Sequence, residues 1–311
     1  MTNSTVSRLG QVNGAGDADA LFLKVFAGEI LSEFERLNVF KGLTYVRQIT
    51  NGKSATFPLT GSATSGYHTP GNWIDGAAIP HAEKVILVDD LLVSSTFIAN
   101  IDEAKNHYDV RAIYSGELGN VLARAYDVNL ARVLALAARS ASPLTGRAGG
   151  SRITDAAMAT DAAKLEAALF TAAQTLDEKD VLSTDRVATF RPAQFYLLAQ
   201  RDRLVDTNLG AKGAVATGVV ETVAGLPIVK SNNIPSTNVT TGPAKYQGDF
   251  RTTVGLVFHK MAAGTVQLMD LAVESEFEIR RQGTFLVAKY AVGHDVLRSD
   301  CAVEIATGAV A

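Results

Sequence analysis

The stretch Ile49–Asn72 reads ITNGKSATFPLTGSATSGYHTPGN. Thr44–Thr50 and Lys53–Leu59 on either side of Asn51-Gly52 each alternate like β-strands, and Asn-Gly is a strong signal for a hairpin turn. A long run rich in Gly, Ser and Thr follows, and it is too polar to build a core. The pattern predicts a two-stranded flap, which continues through a second ribbon and ends near residue 95.

Such a flap needs a partner. A ribbon of two strands is marginally stable in water, and its open edges invite pairing with another chain. The flap carries Lys53 beside its turn, and Phe57, Tyr67 and Trp73, whose aromatic types anchor interfaces. Trp73 is the only tryptophan of the chain. We therefore expect the flap to lie on a neighbouring copy, and a head-to-tail contact of this kind generates rings or closed lattices.

The region before the flap begins with a polar stretch and continues with a helix pattern over Asp17–Asn38. Phe22, Phe26 and Phe34 fall on one broad face of that helix. Two interpretations stay open at this point. The helix is either a core helix or an arm helix whose apolar face docks on a neighbouring subunit.

A very long helix is predicted after the flap, because Asp102–Ala141 contains no proline and keeps an apolar face. Such a helix would act as a spine, and another long part of the structure must pack along it. Leu144–Asp155 is glycine-rich and is interpreted as a flexible loop, and a helix follows from about Asp161 to Asp177. From Thr184 onwards the chain alternates strands with a short helix that begins at Pro192, and three further β runs occupy 265–306.

Composition excludes several classes of protein. The 311 residues carry a net charge of −3 and 47% hydrophobic residues, an ordinary balance for a globular chain. One cysteine rules out an intrachain disulfide framework, and no apolar run approaches the ~18 residues of a membrane-spanning helix. The near-neutral charge offers no strong field for nucleic acid. We therefore expect no disulfide, no membrane span and no specific DNA binding.

No reactive constellation emerges from the motifs. None of the five histidines pairs with another at metal-ligand spacing, and the His81-Ala82-Glu83 fragment lacks the cysteine partners of a zinc deaminase. The glycines near 61–66 and 146–150 do not form a phosphate-binding loop. We expect no catalytic residue, no cofactor and no metal.

The last group of candidate residues lies on an acidic strand. Glu274, Glu276 and Glu278 alternate with apolar residues, and Arg280 and Arg281 follow. The alternation indicates the solvated face of a half-buried strand. If that face packs on a neighbour, its charges would set the register between subunits.

The order of these parts resembles a known family, the major capsid proteins of tailed bacteriophages with the Hong Kong 97-like fold, and within it those of short-tailed, T-seven-like podophages. The resemblance spans about residues 20–305. It is carried by LFLKVFAGEIL (21–31), NGKSATFP (51–58), HAEKVILVDDLL (81–92), DEAKNHYDVR (102–111), GLPIVKSNNIP (225–235) and AKYAVGHDVLR (288–298).

The resemblance implies an α+β capsid fold with named parts. Residues 1–44 would be the N-terminal arm, 45–95 the extended β loop, and 96–180 a peripheral domain with the spine helix. Residues 181–261 would form the axial domain, and 262–311 would return strands to the peripheral domain. The chain would have no enzymatic activity. Some phages of this fold cross-link the loop through a lysine, but we do not expect Lys53 to do so.

The implied function is self-assembly into an icosahedral shell of hexamers and pentamers around double-stranded DNA. The implied partners are a scaffolding protein, a portal protein and, in some relatives, a decoration protein. Assembly would take place in the host cytoplasm, followed by procapsid maturation. Three alternatives stay open on the residues alone: an encapsulin-type nanocompartment shell, a surface-layer or tail sheath protein, and a cytosolic enzyme.

Overall fold

The computed structural model describes residues 38–101, 110–201, 220 and 222–309, without the side chains of 110–116, 270, 271, 273 and 275. The predicted arm helix, with Phe22, Phe26 and Phe34, lies outside the described residues. The helices are α1 Val110–Arg139, α2 Ala162–Glu178 and α3 Pro192–Ala199. The first strands are β1 Tyr45–Gln48, β2 Ser54–Thr60, β3 His81–Leu87, β4 Leu92–Ala99, β5 Ser151–Thr154, β6 Arg186–Phe190 and β7 Thr222–Val223. They are followed by β8 Leu226–Lys230, β9 Asn238–Val239, β10 Gly248–Asp249, β11 Thr253–His259, β12 Ala263–Glu278, β13 Gly283–Val296 and β14 Ala302–Ala306.

The predicted hairpin around Asn51-Gly52 is wrong in its pairing. Strand β1 runs parallel to β12, with Tyr45 opposite Gly264, and β2 instead pairs antiparallel with β3. Gly52 has a φ of 104°, in the left-handed region that favours glycine, and the chain bends on both sides of it. The local sequence predicts the bend, whereas the partners of β1 and β2 lie far away in the chain.

The chain groups into two compact units. In the described residues, the smaller unit contains Asn38, 89–101, 110–126 and 268–292. The larger unit contains 39–88, 127–201, 220, 222–267 and 293–309. This grouping differs from the expected division into axial (181–261) and peripheral (96–180, 262–311) domains. Strands from both expected domains, β5 and β14 as well as β6 and β11, share one sheet.

The larger unit is built on that sheet of six strands in the order β5-β14-β11-β6-β8-β7. Every residue of β6, β11 and β14 is buried, which makes these the central strands. Helix α2 packs on β5, β14 and α3 through an apolar face that keeps helical spacing. Its buried apolar residues are Leu165, Ala168, Leu169, Ala172 and Leu176. Asp161 caps the helix by accepting a hydrogen bond from the Ala163 N–H at 2.8 Å.

The glycine-rich segment before α2 is not the flexible loop that composition suggested. Ser151–Thr154 forms β5, which pairs in parallel with β14. Gly150 lies so close to the end of α1 that a Cβ there would be 2.3 Å from the Ala137 carbonyl oxygen. Its N–H donates to the Ser140 carbonyl at 2.9 Å. The glycine therefore serves close approach to a helix rather than mobility.

The smaller unit contains the antiparallel pair β4–β13, in which Ala99 faces Gly283 and Leu92 faces Tyr290. The part of α1 that belongs to this unit buries Leu118, Leu122 and Tyr126. Val121 on the same helix is 49% exposed. The Tyr126 ring packs on Tyr290 with the centroids 5.9 Å apart.

A buried carboxylate joins α1 to the central sheet of the larger unit. Glu304 on β14 is fully buried and accepts hydrogen bonds from Arg139 Nε and Nη2 at 2.7 and 2.6 Å. It also accepts from Thr253 Oγ1 at 2.6 Å and forms an ion pair with Arg152 Nε at 2.8 Å. Arginine forks suit carboxylates because their donors match both oxygens.

We expect Glu304→Gln to lower the free energy of unfolding by about 3 kcal/mol, because it leaves two mostly buried guanidinium groups without their anion. Urea unfolding of the unassembled subunit measures this. The matched control is Glu178→Gln, at an exposed position on α2, which should change it by less than about 0.5 kcal/mol. Equal effects of the two substitutions would contradict the role given to Glu304.

Candidate assembly surfaces

Strands β2 and β3 form a ribbon of their own, paired only with each other in the described residues. Its register runs from Ser54 opposite Leu87 to Thr60 opposite His81. The Gly61 N–H then donates to the Pro80 carbonyl at 2.8 Å and closes the far end. We call β2 and β3 the ribbon, and residues 61–80 at its far end the tip.

One face of the ribbon is buried inside its own chain. Ala55, Phe57 and Ile86 cluster with Val266 and Leu297. Phe57, a predicted subunit-interface residue, is only 8% exposed and packs edge-on against Tyr45 with the centroids 5.9 Å apart. That prediction is therefore wrong for Phe57. More of the flap is buried than its polar sequence suggested, because every second residue of β2 points inward.

The root of the ribbon, where β3 ends, is clamped by main-chain contacts. The Val88 N–H donates to the Lys53 carbonyl at 2.8 Å, and Lys245 Nζ donates to the Leu87 carbonyl at 3.2 Å. Gly293 packs directly on this segment, so that a Cβ there would lie 1.9 Å from the Leu87 carbonyl oxygen. Only glycine allows such an approach without displacement of the root.

The tip is uncovered. Residues 62–80 are all exposed and contain no strand or helix, apart from a turn closed by the Asn72 N–H and the Thr69 carbonyl at 3.1 Å. Tyr67 and Trp73, both predicted interface residues, are fully exposed and 94% exposed respectively. Sequence reasoning missed Ile74, which is 80% exposed beside them. Lys53, at the opposite end of the ribbon, is also exposed.

The outer face of the ribbon adds apolar surface. Val85 and Leu87 on β3 are about half exposed, although both belong to a strongly apolar strand. Their exposure could have been anticipated from strand alternation once Ile86 was assigned to the core.

The predicted charged residues at the end of β12 are exposed and partly paired within the chain. Lys289 Nζ lies 2.5 Å from Glu274 Oε1, and Arg281 Nη1 lies 3.1 Å from Glu278 Oε2. Glu276 and Arg280 are exposed. The alternation does not produce a buried face here, because the neighbouring Phe277 and Ile279 are also exposed, by 47% and 74%. These two apolar residues are further interface candidates that the sequence did not single out.

Two more large apolar side chains lie on the surface of the larger unit. Phe170 on the outer face of α2 is 54% exposed, and Leu182 after that helix is 70% exposed.

The described residues hold no arrangement typical of catalysis. No cluster of three or more metal-binding side chains occurs among them. Burial raises the pKa of the Cys301 thiol to about 12, so it is protonated at neutral pH. A polar pocket of about 290 Å³ is lined by Arg147, Lys179 and Asp300, but Asp300 is tied to Arg147 and Arg298 at 3.2 and 2.7 Å. In the described part of the chain, no helix is long and apolar enough to cross a membrane.

A buried histidine lies next to the root of the ribbon. His294 follows Gly293, is 1% exposed, and its Nδ1 lies 2.9 Å from Thr265 Oγ1. The backbone N–H of His294 donates to Tyr246 Oη at 3.2 Å. Burial, with a smaller contribution from the positive charge of Lys245, lowers the pKa of His294 to about 3. The imidazole is therefore neutral in the folded chain over the physiological range.

Comparisons with known proteins identify the family of this chain. A family model described as "Gp10A-like: Major capsid protein" matches residues 56–306. The chain belongs to the Gp10A-like family of major capsid proteins. It is 34% identical to the major capsid protein of Escherichia phage T7, over 94% of this chain and 93% of that one. It is 33% identical to the major capsid protein of Enterobacteria phage T3 over the same shares.

Solved structures give the same result. The capsid structure of Cyanophage P-SCSP1u matches with a TM-score of 0.84 and 43% identity, over 99% of this chain and 100% of that chain. The mature capsid of bacteriophage PhiM1 matches with a TM-score of 0.77 over 99% and 98%, and at 22% identity it supports the fold alone.

The family settles the main predictions from sequence. The resemblance to capsid proteins of T-seven-like phages is confirmed, as is the α+β Hong Kong 97-like fold. The chain is a phage major capsid protein that forms the icosahedral shell of the virion. It is a structural protein and not an enzyme, and the nanocompartment alternative is not favoured.

We expect Gly293→Ala to destabilise the subunit by about 1–3 kcal/mol, because the added methyl group would overlap the Leu87 carbonyl at the root of the ribbon. Thermal unfolding of the unassembled subunit measures it. Gly308→Ala is the matched control, since nothing lies within 4 Å of its Cβ position. Unchanged stability of the first variant would show that the root is not tightly packed.

Acid should weaken the subunit through His294. Its pKa in the folded chain is below that of an unfolded histidine, about 6.5, so its stabilising contribution is complete above pH 6.5. As the pH falls from 6.5 towards 3, unfolded chains bind the proton first, and this residue lowers the stability by about 1.4 kcal/mol per pH unit.

Urea unfolding of the wild type and His294→Gln between pH 7 and pH 4.5 tests this. The variant should lose less stability on acidification than the wild type. His81→Gln, on the exposed end of β3, is the control and should follow the wild type. Parallel pH dependence in all three proteins would contradict the assignment.

Proposed function

We propose that the tip and the outer face of the ribbon grip a neighbouring subunit in the hexamers and pentamers of the shell, and that the expected N-terminal arm, residues 1–44, does likewise through its part before Val39. The observation that carries the proposal is the exposure of Tyr67, Trp73 and Ile74 on a tip with no covering layer. Large apolar side chains in one exposed patch are typical of an interaction surface.

The energetics support a second copy as the occupant. Each aromatic side chain offers roughly 150–250 Å² of contact area, and full burial of one such anchor stabilises an interface by about 2 kcal/mol or more. The tip has no internal packing to lose when it docks, since its residues are exposed in the free chain. In a shell built from one protein, the surface repeated next to every tip is another copy of this chain.

The charged end of β12 and β13 is part of the same proposal. Glu276 and Arg280, together with the paired Glu274, Glu278 and Arg281, would set the register between adjacent subunits. The exposed Phe277 and Ile279 would supply the apolar part of that contact.

We further propose that the subunit assembles in the host cytoplasm around a scaffolding protein, with a portal at one vertex, and that the shell then matures as DNA enters. A decoration protein on the outside is an optional partner. The net charge of −3 fits a container that encloses double-stranded DNA without specific binding.

The single tryptophan reports on this contact directly. When the subunit assembles into shells, the emission maximum of Trp73 should shift to shorter wavelength, because its indole passes from water into an interface. Fluorescence of unassembled subunits and of purified shells, at equal protein concentration, measures the shift. An identical spectrum in both states would contradict the proposed contact.

Trp73→Ala should lower the yield of closed shells at least tenfold while leaving the melting temperature of the unassembled subunit unchanged, because the side chain contributes to the interface and not to the fold. Leu182→Ala, which removes another exposed apolar side chain (70% exposed) outside the flap, is the matched control. Electron microscopy and sedimentation of lysates that contain the scaffold give the yield.

A further inference from the structure

A buried carboxylate holds the point at which the N-terminal arm joins the larger unit. The first residues of that unit are Val39 and Phe40, which lead into a 3₁₀ turn at Lys41–Leu43. Phe40 is fully buried and stacks on Phe258 of the central strand β11, with the centroids 6.3 Å apart. The larger unit therefore begins at a fixed place, with Val39 and Phe40 beside a central strand of its sheet.

The direction of the chain at this point is set by Asp127 on α1. Its Oδ2 accepts a hydrogen bond from the Val39 N–H at 2.8 Å, and its Oδ1 accepts one from the Phe40 N–H at 3.2 Å. The 3₁₀ turn at Lys41–Leu43 has no side-chain cap at its own N-terminus. Two successive N–H groups bound to one carboxylate fix the orientation of the peptide planes at Val39 and Phe40, where the larger unit begins.

A third segment fixes the carboxylate itself. Asn233, in the loop after β8, donates from Nδ2 to Asp127 Oδ2 at 3.2 Å, and its own N–H donates to Ser231 Oγ at 3.2 Å. Asp127 is fully buried and Asn233 is 6% exposed. Asp127 thus receives three donors on two oxygens, and among side chains only a carboxylate offers two acceptor oxygens with no donor.

Stability alone does not explain this choice of residue. Burial raises the pKa of Asp127, although the hydrogen bonds from Val39, Phe40 and Asn233 act in the opposite direction. Among the residues that the structure describes, no cation is one of the groups that shift this pKa. A buried carboxylate without a cation is costly, and such a group is best explained where it specifies one geometry among several.

We propose that Asp127 is a positioning residue for shell assembly, which fixes the direction in which the N-terminal arm leaves every subunit. The inference rests on the proposed role of the arm in gripping a neighbour. A shell needs the arm of each copy to reach the equivalent place on the next copy. A rigid exit provides this even where the arm itself adapts to its surroundings.

The test uses Asp127→Asn, which keeps the size of the side chain but replaces one acceptor oxygen with an NH₂ donor that faces the donors around it. In the purified, unassembled subunit, trypsin should cleave after Lys41 at least about tenfold faster than in the wild type. Cleavage after Lys164 on α2 should keep its wild-type rate, because the rest of the unit stays folded. Mass spectrometry of a time course identifies both cuts.

The same variant, co-expressed with the scaffold, should give at least tenfold fewer closed shells by electron microscopy, with irregular particles in their place. The matched control is Asp161→Asn, which alters a capping carboxylate in the same way at the start of α2. It should leave both the Lys41 cleavage rate and the shell yield unchanged. If Asp127→Asn does not fold, Asn233→Ala, which removes one donor and keeps the carboxylate, takes its place with the same readouts.

Wild-type cleavage at Lys41, or faster cleavage at Lys41 and Lys164 alike, would overturn the proposal. The proteolysis result does not depend on assembly, so it separates this proposal from the one on which it rests. If deletion of residues 1–37 leaves shell yield unchanged, the gripping role of the arm fails, and Asp127 then has no role in assembly even where it fixes the exit.

Discussion

The shell subunit depends on one constraint: a ribbon of two strands must be held firmly at its root while its far end stays uncovered. The root is held by the burial of Phe57 and Ile86 against Val266 and Leu297, and by the contact between Gly293 and the Leu87 carbonyl. Two strands alone would not be stable. Packing of one face on the larger unit supplies the missing core, so the tip can present Tyr67 and Trp73 without collapsing onto its own chain.

The flap and the start of the larger unit at Val39 are both held firmly by their surroundings. The flap is attached by packed apolar side chains, whereas the arm exit is held by hydrogen bonds to one buried carboxylate. Both attachments lie on the larger unit, whose central strands β6, β11 and β14 are buried along their whole length. In an assembly of many identical subunits, a contact surface whose direction varies impairs assembly as much as a weak contact does. Rigid attachment of the contact surface prevents this variation.

Sequence predicted the elements better than their partners. Helix α2, α3 with Pro192 at its first turn, and the strands after Thr184 follow local rules and were predicted correctly. The pairing of β1 with β12 and of β2 with β3 depends on contacts more than 20 residues away, which no local pattern contains. Strand β5 was missed because the glycines just before it, which allow close approach to α1, are also typical of a flexible loop.

The same difference between local patterns and long-range contacts applies to the candidate interface residues. Tyr67 and Trp73 were found from sequence because large aromatic residues stand out in a polar run. Phe57 was assigned to the wrong environment, since alternation alone does not say which face is covered. Asp127 gave no signal, because a single acid in a long helix is ordinary until its three donors are seen to converge on it.

Hydrogen–deuterium exchange, compared between unassembled subunits and assembled shells, tests the central claim most directly. The account predicts that amides of the tip, residues 61–80, exchange fast in the free subunit and become protected in the shell. Amides paired between β2 and β3 near Ala55 and Ile86 should be protected in both states. A tip that exchanges equally fast in both states, or a root that is protected only in the shell, would contradict it.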